Sequence, residues 1–142
     1  MFFRNLTLYR FSASLAGELR DLDVVLANHP LRTCGRLEIA TRGFVSPFGP
    51  DSEALSHAVG NDILITLGQE EKLLPPAVVN AELGKRLRKE AERRGRPVGG
   101  RQRRAIKSEV IDALLPQAFV RPSRINAYID TKAGWVVTDT AS

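Results

Sequence analysis

An α+β fold is what the order of signals along this chain predicts: antiparallel sheet(s) with one packed helix and a projecting basic helical hairpin. Strand-type alternation gathers toward the two ends of the sequence, and two amphipathic helical stretches joined by glycine and proline lie between them. Strands that come in runs, rather than each followed by its own helix, pair antiparallel. Phe3 to Phe11 places Leu6 and Leu8 on one face and Asn5, Thr7 and Tyr9 on the other, a strand pattern. Ser12 or Ser14 then offers a hydroxyl to cap a helix carrying Leu15, Leu19, Leu22 and Leu26, which Asn28-His29-Pro30 stops. Leu37-Glu38-Ile39 and Phe44-Val45 predict short strands beside the turn-rich Pro47-Phe48-Gly49-Pro50, and Ile63 to Leu67 predicts an interior strand.

Pro75-Pro76 opens the next helix, since proline is tolerated where the N–H has no helical partner. Val79, Leu83, Leu87 and Ala91 make its apolar stripe, with Lys85, Arg86, Lys89 and Arg93 on the opposite side. Gly95, Pro97, Gly99 and Gly100 break it, and a second helix begins near Arg101 with Ile106, Val110, Ala113 and Leu114 as its stripe, ending before Pro116. Facing stripes across such a connection predict a helical hairpin whose tip is roughly Arg93 to Arg104. Ile125 to Ile129 and Trp135 to Thr138 predict a β-hairpin. The expected organisation is an α+β body over 1–74, the basic hairpin over 75–118 and a β-hairpin over 119–142 returning to the body. The last residues stop directly after a strand, as in a piece of a longer protein.

Charge is the strongest functional signal. The segment from Lys85 to Lys107 holds eleven of the 21 basic residues and only two acids, a local charge of +9. The remainder, with ten basic and fourteen acidic residues, carries −4, which completes the net +5. A solvated helix face mixes signs to gain i, i+4 pairs, whereas uncompensated cations repel one another. The segment also favours arginine over lysine, eight to three, and the planar guanidinium fork suits phosphate oxygens. A polyanion is therefore the expected partner. Between Lys72 and Ala118 there is no aromatic ring, while readers of RNA and single strands stack bases on aromatics. Backbone contact with duplex DNA, indifferent to sequence, is favoured over an RNA-binding basic module.

Little else in the chain reads as chemistry. One cysteine, Cys34, allows no internal disulfide and is more often an apolar filler than a nucleophile. His29 and His57 lack metal-site or triad spacing, His57 being expected on a short helix where its neighbours point apart. No cofactor is expected, and Gly99-Gly100 lacks the spacing of a phosphate-binding loop. Asp62, Glu70 and Lys72 loosely match the two carboxylates and lysine of magnesium-dependent nucleases, but such trios after strands are common. The N-terminus lacks the apolar stretch and cleavage site of a signal peptide, and no segment approaches the length of a membrane span. A cytoplasmic, nucleoid-associated, non-enzymatic protein with no membrane partner is the expectation.

With these residues in hand, the chain resembles the recombination-associated RdgC family of proteobacteria. The resemblance rests on ordered blocks: Phe3-Arg4-Asn5-Leu6 with Tyr9-Arg10; Cys34-Gly35; Gly43-Phe44-Val45-x-Pro47 with Gly49; and Ala54-Leu55-x-His57. It continues through Glu70-Glu71-Lys72-x-Leu74-Pro75, Leu114-Leu115-Pro116-x-Ala118-Phe119 and Ile129-Asp130-Thr131 with Gly134. Family members are longer, so this sequence corresponds to their N-terminal portion. The resemblance implies a ring-like homodimer that encircles duplex DNA and antagonises RecA-driven strand exchange, although the family has at times carried a nuclease label. It makes Lys85, Arg86, Arg88, Lys89, Arg93, Arg94, Arg96, Arg101, Arg103, Arg104 and Lys107, with Arg121 and Arg124, the implied DNA contacts. Phe119 becomes the implied dimer contact, and Gln117 stands where the family pattern leads one to expect a base.

Overall fold

A computed structural model describes residues 3–141. Six strands run β1 (Thr7–Arg10), β2 (Ala40–Val45), β3 (Ser56–Val59), β4 (Asp62–Lys72), β5 (Val120–Asp130) and β6 (Trp135–Thr138). Helices are α1 (Leu22–Ala27), α2 (Pro76–Arg94) and α3 (Gly100–Leu114), with 3-10 turns over Ala13–Asp21 and Leu115–Gln117. The sheet order is β1-β6-β5-β4-β2, with β3 also on β4, and the architecture is an open antiparallel α+β arrangement. The chain divides into two compact units, one of Met1–Thr33, Thr41–Glu70 and Pro122–Ser142, the other of Cys34–Ala40 and Glu71–Arg121.

In the first unit, β6 is flanked by β1 and β5 in register, with Tyr9 opposite Val136 and Val136 opposite Ile129. Leu15 and Leu19 line one cleft with Ile129 and Val136. The segment supplying those leucines begins as a 3-10 helix rather than the expected α-helix, and only Leu22–Ala27 is α-helical. The Ser12 and Ser14 hydroxyls bond each other at 2.8 Å instead of capping, and Gly17 in the middle loses the most backbone entropy on ordering. His57 sits on β3 rather than on a short helix, paired in register with Leu64. Thr66, with no exposed surface, donates from Oγ1 to Asn126 Oδ1 at 2.9 Å, so a polar bond is built into the interior. Gly43 lies where Pro30 bridges to Phe44, and an added Cβ would stand 2.2 Å from the Leu31 nitrogen. Only glycine allows that approach.

The second unit is built on the helical hairpin. Val79 and Leu83 of α2 and Ile106 and Val110 of α3 form its buried core, joined by Leu74, Leu87, Val98, Ile111 and Leu114. The stripes are those read from the sequence, except that Ala91 is only half-buried and stands outside this cluster, and that Ala113 faces solvent while Ile111 takes its place. Gly95 ends α2 with φ of 65°, a left-handed cap that a side chain would strain. Leu37-Glu38-Ile39 forms a turn instead of a strand: Glu38 Oε2 accepts the Gly35 N–H at 2.8 Å, and β2 begins only at Ala40.

Candidate nucleic-acid interface

The cations of the hairpin fall into two groups. Lys85 and Arg86 reach Glu82 at 3.7 and 3.4 Å, and Arg93 and Arg94 reach Glu90 at 2.8 and 2.6 Å. Arg88, Lys89, Arg96, Arg101, Arg103, Arg104 and Lys107 are exposed and make no side-chain hydrogen bond or ion pair among the described residues. Arg101, Arg104 and Lys107 recur every three residues of α3, so they share one side of that helix. Gly99 gives α3 no side-chain cap, and its first turn holds no acid, so the positive end of the helix dipole adds to the same field. A largely exposed i, i+3 pair such as Lys85–Glu82 contributes only about 0.3–0.5 kcal/mol and is screened by salt, so a phosphate competes for its cation readily.

Glu90 is the organiser that charge counting alone does not reveal. Its Oε1 accepts from Arg93 Nη2 at 2.8 Å, Arg94 Nε at 2.6 Å and Gln102 Nε2 at 2.8 Å, and its Oε2 accepts from Arg93 Nε at 3.0 Å. The Arg93 hydrogen bonds, opposed in part by desolvation and reinforced by Arg94, hold its carboxyl down at about 2. Arg93 is shifted the other way, its guanidinium held more firmly protonated by the Glu90 carboxylate. The three- and four-residue spacings to Arg93 and Arg94 are the signal that points to this cluster in the sequence.

Arg121 and Arg124, the implied contacts beyond the hairpin, are engaged elsewhere. Arg121 Nη2 donates to Glu71 Oε2 at 2.6 Å, and Arg124 Nη2 donates to the Ser46 carbonyl. Phe119 is 83% exposed while its carbonyl accepts the Leu73 N–H at 2.8 Å, so its backbone is fixed and its ring meets solvent. Gln117 is exposed in the 3-10 turn that follows α3.

The nuclease trio does not assemble. Asp62 and Glu70 lie eight residues apart on the single strand β4, roughly 26 Å at about 3.3 Å per residue, too far to share an ion. Lys72 is 8% exposed, and its Nζ donates to the Arg36 carbonyl at 2.6 Å and the Leu115 carbonyl at 2.9 Å. That amine is a structural clamp, held by two backbone carbonyls. Among the described residues no group of three or more His, Cys, Asp or Glu is placed to hold a metal ion, and no helix is long and apolar enough to cross a membrane. Cys34 is buried, its thiol donating to the Glu38 carbonyl at 3.3 Å.

The family described as "Putative exonuclease, RdgC" matches residues 1–142. The chain belongs to the RdgC family. Relatives named recombination-associated protein RdgC are 47% identical in Xylella fastidiosa (strain 9a5c), 43% in Stenotrophomonas maltophilia (strain R551-3) and 41% in Xanthomonas campestris pv. campestris (strain B100). Each match covers 100% of this chain and 47% of the relative, so the chain spans about half the length of the RdgC proteins it matches.

Proposed function

We propose that this RdgC-family chain binds double-stranded DNA without sequence preference, as one subunit of a homodimer, and restrains RecA-dependent recombination by occupying the duplex. The observation carrying the reading is the set of seven exposed cations, without a side-chain partner among the described residues, on one aromatic-free helical hairpin, extended by the weakly paired Lys85 and Arg86. Such a surface follows the phosphate rails, which every duplex offers alike, and has no ring on which to stack an unpaired base. The relatives' printed name, recombination-associated protein, supports a role beside the recombinase. The reading is non-catalytic because Lys72 is committed to two carbonyls and the two carboxylates of the trio sit far apart on one strand.

Arg121 and Arg124 are secondary contacts in this reading, since a phosphate must draw the first from Glu71 and the second from the Ser46 carbonyl. Duplex binding followed by fluorescence anisotropy across a salt series tests the proposal. Log affinity is expected to fall linearly with log salt, by about 0.9 for each phosphate contacted. Reversing Arg101, Arg103 and Arg104 to glutamate together is expected to weaken duplexes of unrelated sequence by the same factor. Loss confined to certain sequences, or equal affinity for single strands, would overturn it. Magnesium-dependent shortening of a linear duplex that Lys72→Met abolishes in a folded protein would favour the nuclease reading instead.

A further inference from the structure

Resting on that duplex-binding reading, we infer that Glu90 is a positioning residue that presets the Arg93 and Arg94 guanidinium groups for phosphate, rather than an acid that merely cancels their charge. Three features separate these roles. Glu90 is turned inward, its side chain only 17% exposed, while the Arg93 side chain is 70% exposed. Its bonds use Nε and one Nη2 hydrogen of Arg93 and only Nε of Arg94, leaving the other guanidinium hydrogens of both residues for a ligand. The same carboxylate takes Gln102 Nε2, which belongs to α3, so the orientation of the α2 arginines is tied to the opposite helix.

The arrangement follows from spacing and from the loop. Positions 90, 93 and 94 share one side of α2, and Gly95 stops the helix immediately afterwards, so both guanidinium groups issue from the final turn. Gln102 lies in the first turn of α3, where the connection through Gly99 and Gly100 brings it back against Glu90. Arg86, Lys89 and Glu109 line the same cleft but make no hydrogen bond to the Glu90 carboxylate. A flexible arginine must lose rotamer freedom when it grips a phosphate, and one already anchored through Nε has lost part of it beforehand. Glu90 therefore favours binding despite its sign.

Substitution gives the two roles opposite outcomes. Glu90→Gln adds one positive charge, so an acid acting only as a charge sink predicts tighter duplex binding and a steeper salt slope. Positioning predicts weaker binding and a slope shallower by about 1 to 2, as one or both phosphate contacts are lost. Gln102→Leu leaves the net charge unchanged and is expected to move affinity the same way by a smaller factor. The Nε–H resonances of Arg93 and Arg94 in the wild-type protein should be shielded from solvent exchange, and Glu90→Gln should expose them while thermal unfolding of the full chain still shows a folded hairpin. Unchanged or tighter binding by a folded Glu90→Gln protein overturns the inference and leaves duplex binding standing. If Glu90→Gln fails to fold, unaltered affinity in Gln102→Leu overturns it. Absence of duplex binding in the wild-type chain overturns the proposed function and this inference with it.

Discussion

At the scale of single residues, Lys72 shows how one side chain can imitate a catalytic pattern while serving another purpose. Its position at the end of a strand and beside two glutamates fits a nuclease motif, yet the ammonium closes the second unit by donating to carbonyls on two separated segments. The Leu115 carbonyl lies just past the end of α3, where a cation also complements the negative end of the helix dipole. Lys72→Met keeps most of the stem volume and removes both donors, leaving two carbonyls short of a partner. The expected loss is about 3–6 kcal/mol, read from the urea midpoint at constant slope, because two bonds from a charged donor are lost and each is worth about 1.5–3 kcal/mol. A midpoint that does not move would mean that water replaces the ammonium at both carbonyls. Nothing in the sequence shows this role, since Arg36 and Leu115 lie 36 and 43 positions away from Lys72.

At the scale of elements, legibility follows the range of the forces. The helical hairpin was readable because Pro75-Pro76, Gly95 and the i, i+4 stripes act within a few residues of themselves. The stripes then meet as Val79 and Leu83 against Ile106 and Val110. β3 was not readable: Ser56-His57-Ala58-Val59 has no alternation, stays largely exposed and is a strand only because Ile63, Leu64 and Ile65 offer it hydrogen bonds. The 3-10 start of the first helical segment was hidden for a similar reason, since leucines at helical spacing do not report what the serine hydroxyls bond to. Within the hairpin the cations were legible from composition, but the link from Glu90 to Gln102 depends on how the two helices meet. That link carries a pH signature. A carboxyl held at about 2 against an ordinary 4.5 stabilises the fold fully above 4.5, and this contribution is lost as pH falls from there toward 2. Acid titration of stability should therefore be steeper through that window in the wild-type protein than in Glu90→Gln. Asp139, held low by the Asn5 and Arg4 backbone N–H groups, titrates in both proteins and cancels from the comparison. Parallel acid profiles would mean that the Glu90 bonds are not kept in solution.

At the scale of the whole molecule, the proposed duplex binding has to come from a chain matching 47% of each relative's length. One hairpin offers a short row of cations, and a short row binds weakly at physiological salt because each phosphate contact carries its own salt penalty. Two hairpins held together convert the second contact into an intramolecular one, which multiplies affinity without any new residue. Phe119 is the side chain suited to join them, being large, apolar and 83% exposed on a backbone fixed by the Leu73 hydrogen bond. Exposed Leu73 and Val120, its neighbours in space and in sequence, extend it into an apolar patch of the kind that marks interaction sites. Phe119→Asp places a charge in that patch while leaving every hairpin cation in place. The expected result is a change from dimer to monomer by light scattering, together with weaker duplex binding and a salt slope lowered toward half. A wild-type chain that is already monomeric, with and without duplex, would leave Phe119 no role in self-association and would require one hairpin to supply the whole affinity. A dimer that persists in Phe119→Asp would instead place the contact between subunits on another surface.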